Sequence, residues 1–224
     1  MNEIEAIRLR HSVRAYQNRK IEQEKVDQLK ALIDEVNAEG NVHLQFIEDA
    51  GKTFNRLLSK AMGLGSAPSV IACVGPDDGT LDNRVGYYGE RIVLAAQSMG
   101  LNTCWAGTYN KNGVPADVLA GERLVIVIAI GYGENQGRQR KSKTPGQVSK
   151  ALCERPEWFD FGVEMALLAP TAINQQNFEI VLKEDGSVDF IDKGGPFSKV
   201  DLGIVKYNFT VGAEFRKNGG KDHE

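Results

Sequence analysis

Cysteine is scarce in this chain. Cys73, Cys104 and Cys153 are the only three, an odd number with no Cys-x-x-Cys pair. That argues against a disulfide framework and a cysteine-rich zinc site, and reduced thiols suit a cytosol. A basic excess is also missing: 27 Lys and Arg stand against 30 Asp and Glu, for a net charge of −3. A general nucleic-acid binder is therefore not expected, although a local basic pocket remains open. The longest apolar run, Leu124 to Ile130, falls far short of the roughly 20 residues that cross a bilayer. The N-terminal MNEIEAIRLR has acids where a signal peptide has bases, and no apolar stretch follows. These features predict a cytoplasmic protein with no membrane partner. Neither GxxxxGK[ST] nor GxGxxG occurs, so the common nucleotide fingerprints are absent. His11, His43 and His223 have no partner spacing for a metal or a catalytic triad.

What remains is a mixture of helical and strand patterns. Residues 2–9 predict a short helix capped by Asn2. Val26, Leu29, Leu32, Ile33 and Val36 keep the helical period over 22–39, with Gly40 as its stop. Strands are predicted at His43 to Glu48 and at Ser69 to Val74, the second halted by Gly75-Pro76. A helix over 82–99 should end with Gly100 as its left-handed residue. Leu124 to Ile130 reads as a central strand, and residues 134–147 as a polar loop. Helix returns over 157–169 and stops before Pro170. Phe178 to Leu182 and Val188 to Ile191 predict a hairpin, and a last helix covers 200–216. The pattern implies an α+β layered fold. A weak internal echo links Tyr88-Gly89-Glu90-Arg91-Ile92 with Asp201-Leu202-Gly203-Ile204-Val205. It suggests two unequal halves, 1–147 and 148–224.

Four stretches could carry chemistry. Arg10, Ser12 and Arg14 alternate, so in extended backbone two guanidiniums and a hydroxyl share a face, an arrangement suited to a phosphate monoester. Taken alone, the triplet reads more readily as a solvated basic patch after a helix. Arg138-Gln139-Arg140-Lys141-Ser142-Lys143 follows a predicted central strand, where it could form the second arm of a phosphate site or an exposed loop. In Ala169 to Phe178, Thr171, Asn174 and Gln176 offer short polar groups that can read the edge of a planar heterocycle; an ordinary turn has the same composition. Ala106-Gly107 would let backbone approach a flat ligand.

In order along the chain, these stretches resemble the FMN-dependent nitroreductase family. Arg10-His11-Ser12-Val13-Arg14 is similar to the family's Arg-Arg-Ser-Val-Arg segment, Gly100 to Gly107 to its Gly-Leu-Gly-x-x-Trp turn, and Gly131-Tyr132-Gly133 to its Gly-Tyr-Pro turn, with Gly133 in place of proline. The Ala-Pro-Ser-x-x-Asn-x-Gln segment, which usually follows the second helix, is found instead at Ala169 to Gln176. In that family a partner subunit supplies this segment. The chain therefore resembles a single-chain branch in which two halves form a pseudo-dimer, with a nitroreductase-like fold of mixed or antiparallel sheet flanked by helices.

The resemblance implies one FMN per chain, reduced by NAD(P)H, with a nitroaromatic, quinone or other small molecule as electron acceptor in a ping-pong sequence. It implies no catalytic side chain, because the flavin N5 carries the chemistry. Arg10, His11, Ser12, Lys141 and Lys143 would bind at the phosphate end, and Arg14 would face the flavin O2/N1 edge. Ala106 and Gly107 would lie against the isoalloxazine, and Pro170, Thr171, Ala172, Asn174 and Gln176 would reach it from the second half. A monomer would suffice for the site, with further oligomerisation possible. The alternatives are a flavin-cleaving or dehalogenating relative, and a non-catalytic flavin-binding or sensing protein.

Overall fold

The computed structural model describes residues 1–49, 52–54 and 64–221; His223 lies outside the described residues. Four antiparallel strands form the main sheet in the order β1 (His43–Ile47), β2 (Ser69–Pro76), β4 (Glu122–Gly131), β3 (Asn102–Ala106). β2 and β4 are central, and their near-continuous apolar sequences match burial on both faces. A smaller sheet holds β5 (Ser149–Ala151), β6 (Phe178–Leu182) and β7 (Val188–Asp192); β5 runs parallel to β6, and β6 antiparallel to β7. Among the described residues, six helices accompany the sheets: α1 (Glu3–Leu9), α2 (Gln23–Gly40), α3 (Leu81–Ser98), α4 (Pro145–Val148), α5 (Glu157–Leu167) and α6 (Ser198–Lys217). Helices around mostly antiparallel sheet are the fold class the sequence predicts. Among the described residues, no helix is long and apolar enough to cross a membrane.

Local signals explain most boundaries. Asn2 and Glu5 form a reciprocal capping box that starts α1. Gly100 takes φ +76 just beyond α3, as its position predicts. Gly40 behaves differently from expectation. It is the last residue of α2, and Asn41 takes the left-handed cap at φ 46. Gly40 is small for another reason: the Tyr88 ring lies 2.4 Å from where a β-carbon would sit. Gly75-Pro76 does not halt β2 either. A register shift between Cys73 and Val74 lets the strand run on, pairing Gly75 with Arg123 and Pro76 with Glu122. The stretch 134–147 is not wholly a loop, because a Thr144–Gln147 capping box starts α4. β5 is too short for any alternation to reveal it in the sequence.

The two long helices α3 and α6 meet at glycines. A β-carbon on Gly86 would stand 2.1 Å from Val200 O, and one on Gly203 2.1 Å from Asn83 O. Backbones thus touch at this crossing. Leu81, Val85 and Ile92 of α3 join Val205 and Phe209 of α6, Phe159 of α5 and Ile128 of β4 in one core, so residues on either side of position 147 are packed together.

That packing places three segments side by side. After α1, residues 10–16 run along the edge strand: Ser12 bridges Thr103, Val13 N–H donates to Thr103 O at 3.0 Å, and Tyr16 bridges Gly133. The loop leaving β4 is held by Asn102, which accepts from Gly133 N at 2.9 Å and donates to Gln136 Oε1 at 3.0 Å. The third segment is the turn after α5.

A candidate anion and cofactor cavity

A cavity of about 950 Å³ opens where these segments meet. Its first wall is the 7–15 run, including Arg8, Arg10, His11, Ser12 and Arg14; its second includes Arg138, Arg140 and Ser142; its third includes Leu168, Pro170, Thr171, Ile173 and Asn174. Among the described residues, five arginines and no carboxylate line it, in a chain whose net charge is −3.

Arg10 is the deepest of these cations, 4% exposed. Its Nε lies 3.7 Å from Glu90 Oε1 and makes no hydrogen bond among the described residues. Glu90, on α3, is fully buried and accepts from Trp105 Nε1 at 3.0 Å. Burial pushes the Glu90 carboxyl up, against the pull of Arg10, the Trp105 hydrogen bond and Arg140. Burial likewise lowers Arg10, with Glu90 opposing. Arg140 is brought down to about 10, first by burial and then by Arg10; it stays protonated at neutral pH. Its guanidinium donates to Ala169 O at 2.6 Å, satisfying a carbonyl just past α5.

The turn after α5 has unusual backbone. Ile173, Asn174 and Gln176 all have positive φ, at 47°, 56° and 45°. Asp201, in the first turn of α6, holds it by accepting from Ala172 N at 3.0 Å and Gln175 Nε2 at 2.7 Å. Burial raises Asp201 to about 6, with these hydrogen bonds opposing.

Of the residues singled out in the sequence, Arg10, His11, Ser12, Arg14, Pro170, Thr171 and Asn174 all line this cavity, although about 160 positions separate the two groups. Six others do not line it. Lys143 Nζ donates to Gln176 O at 2.8 Å, and the buried Gln176 amide donates to Leu167 O at 3.1 Å, so this pair ties the loop to the end of α5. Lys141 is exposed and gives its carbonyl to Asn174 Nδ2 at 2.8 Å. Ala172 is engaged through its backbone with Asp201. Ala106 and Gly107 stand at the far end of β3, where the Phe197 ring fills the space a Gly107 side chain would need. They lie nearer a smaller cavity of about 340 Å³ that Phe197 lines with Asp82 and Arg123.

Three features are not assigned to the site from the sequence, although the first lies in the basic stretch 138–143 that is singled out there as a possible second arm, with Lys141 and Lys143 chosen instead. Arg138, Arg140 and Ser142 line the cavity, and the alternation that selects 10, 12 and 14 would have selected them too. Glu90 had a signal as well, since it shares the apolar face of α3 with Gly86, Val93 and Leu94 at helical spacing. Ile173 had none, because an isolated apolar residue in a polar turn looks unremarkable.

A family model described as "Putative TM nitroreductase" matches residues 2–213. No curated protein matches the sequence. Among solved structures, one described as a "putative nitroreductase" of Thermotoga maritima is similar over 100% of this chain and 91% of its own, with TM-score 0.66 and 24% identity. Another, a "Putative NADH dehydrogenase/NAD(P)H nitroreductase" of Bacteroides thetaiotaomicron, is similar over 65% of this chain and 95% of its own, with TM-score 0.50 and 21% identity. An FMN-dependent nitroreductase of Clostridium difficile R20291 is similar over 65% of this chain and 94% of its own, with TM-score 0.48 and 20% identity. At these identities the likeness is one of fold.

Proposed function

The chain belongs to the family described as "Putative TM nitroreductase", and we propose that it is an FMN-dependent oxidoreductase that uses NAD(P)H to reduce a nitroaromatic, quinone or other small acceptor. The observation that carries this reading is the cavity itself: an arginine-lined pocket assembled from residues 7–15, 135–142 and 168–174 of one chain.

The residues present fit FMN. The cavity volume of about 950 Å³ lies within the range of cofactor sites. The unbonded Nε of buried Arg10 is a donor awaiting an acceptor, and several guanidiniums without a carboxylate in the wall suit a phosphate dianion. Arg10, Ser12, Arg138 and Arg140 would hold the phosphate, with Arg14 at the polar edge of the ring. Ile7, Leu168 and Pro170 supply apolar wall for a planar group, and Thr171 and Asn174 supply polar contacts. FMN, when bound, supplies the two-electron chemistry between NAD(P)H and acceptor.

Residues 7–15 of the first half and 168–174 of the second meet at this one cavity, which supports one FMN per chain and a pseudo-dimeric origin of the two halves; a site complete in a monomer is part of the same proposal. We also assign the protein to the cytoplasm. The test is to load the protein with FMN anaerobically and add NADH or NADPH. The visible flavin absorbance should be lost and should return on adding menadione, with parallel double-reciprocal plots for a ping-pong sequence. Absorbance unaffected by either reductant would sink the enzymatic reading.

A further inference from the structure

Ile173 is 88% exposed, the most open of the large hydrophobic residues described, yet it lines the cavity. Its backbone sits at φ 47, ψ 22, a left-handed conformation that β-branched residues adopt only at a cost. At least six hydrogen bonds hold the turn in this state. Asn174 N donates to Thr171 O at 2.9 Å, Gln175 N to Ala172 O at 3.0 Å, and Gln176 N to Thr171 Oγ1 at 3.1 Å. Asn174 Nδ2 donates to Lys141 O at 2.8 Å, while Ala172 N and Gln175 Nε2 donate to Asp201. None of the six involves the Ile173 side chain. Glycine or asparagine would serve the turn better, and an apolar side chain left in water gains nothing from folding. Strain maintained by its surroundings and ending in an exposed side chain is characteristic of ligand contacts.

We propose that Ile173 is a specificity-determining residue: an apolar prong at the cavity, held by the Thr171–Gln176 turn, against which the hydrocarbon face of the electron acceptor packs. The acceptor it favours is thus one that presents an apolar planar face to the cavity. This rests on the FMN reading and adds to it a contact made by the second substrate and not by the cofactor.

The test compares the parent with Ile173→Asn, Ile173→Gly and Ile173→Val, using menadione as the planar apolar acceptor and ferricyanide as an acceptor with no apolar face. FMN affinity of the apoprotein, thermal midpoint and sedimentation are measured alongside. Ile173→Asn and Ile173→Gly should raise the KM for menadione about tenfold, equivalent to about 1.4 kcal/mol, while ferricyanide kinetics, FMN affinity and mass stay unchanged. Ile173→Val should stay close to the parent. The thermal midpoint of Ile173→Asn should equal or exceed the parent's, because strain is relieved. Equal changes for both acceptors, or none, would overturn the proposal. So would a loss of FMN affinity matching the KM change, which would make Ile173 a flavin contact, or a change in association state alone, which would make it a contact between copies. A parent protein that binds no FMN would instead remove the reading on which the proposal rests.

Discussion

Arg10 Nε stands 3.7 Å from Glu90 Oε1, with both side chains almost sealed from solvent. Neither atom has a hydrogen-bond partner among the described residues. Two charges taken out of water and left imperfectly paired add little stability, since desolvation offsets much of their attraction. Such a pair is better understood as a device that keeps a guanidinium deep in the wall of an anion pocket, with a counter-charge behind it.

Removing one partner should therefore be worse than removing both. Glu90→Ala leaves the Arg10 charge buried and should lower unfolding free energy by about 3–5 kcal/mol. The double replacement Arg10→Met with Glu90→Met should regain most of that loss in urea denaturation while FMN affinity falls. A double variant as unstable as Glu90→Ala would contradict this view of the pair.

The loop after β4 offers a sharper distinction. Arg138 lines the cavity, whereas Lys141 does not. Arg138→Ala should weaken FMN binding about tenfold, the equivalent of one charge-assisted contact at about 1.5 kcal/mol. Lys141→Ala should leave FMN binding unchanged. Fluorescence titration of the two variants side by side decides it, and the reverse order of effects would relocate the phosphate.

Acidity should act through Asp201. Its carboxyl keeps a proton to about pH 6 when folded, against an ordinary value of 3.8. The folded state therefore binds this proton more tightly than the unfolded chain does. The group favours folding below pH 4, and that contribution is lost as pH rises from about 4 to 6. Asp201→Asn should reduce the fall in stability over this window by on the order of 2–3 kcal/mol. Urea unfolding at several pH values measures it, and identical slopes in parent and variant would refute the assignment.

The helix crossing gives a prediction about the fold. A β-carbon on Gly86 or Gly203 would stand 2.1 Å from a backbone oxygen of the facing helix. Gly86→Ala and Gly203→Ala should each cost about 1–3 kcal/mol or more by overpacking. Gly79→Ala, with nothing within 4 Å, should be neutral in the same denaturation assay.

The sequence made the long elements legible because their signals are local. α2 and α3 announce themselves through their apolar period, and β4 through a continuous apolar run. It also pointed to both sides of the cavity, since alternation at 10–14 and the polar turn at 170–176 are short-range patterns. What it could not show depends on distant neighbours. Gly40 reads as a helix stop until the Tyr88 ring is seen against it, and Gly107 reads as room for a ligand until Phe197 is seen filling that room. Lys143 reads as a phosphate cation, but its ammonium is engaged with the Gln176 carbonyl. Loop side chains of similar charge are separated only by the direction the backbone gives them.

The most direct test of the central claim is a titration of the purified apoprotein with FMN, followed by quenching of flavin fluorescence, with riboflavin run in parallel. The arginine-lined cavity predicts saturation at one FMN per chain and much weaker binding of riboflavin, with the difference lost in Arg10→Ala. Absence of quenching, or equal affinity for FMN and riboflavin, would contradict it.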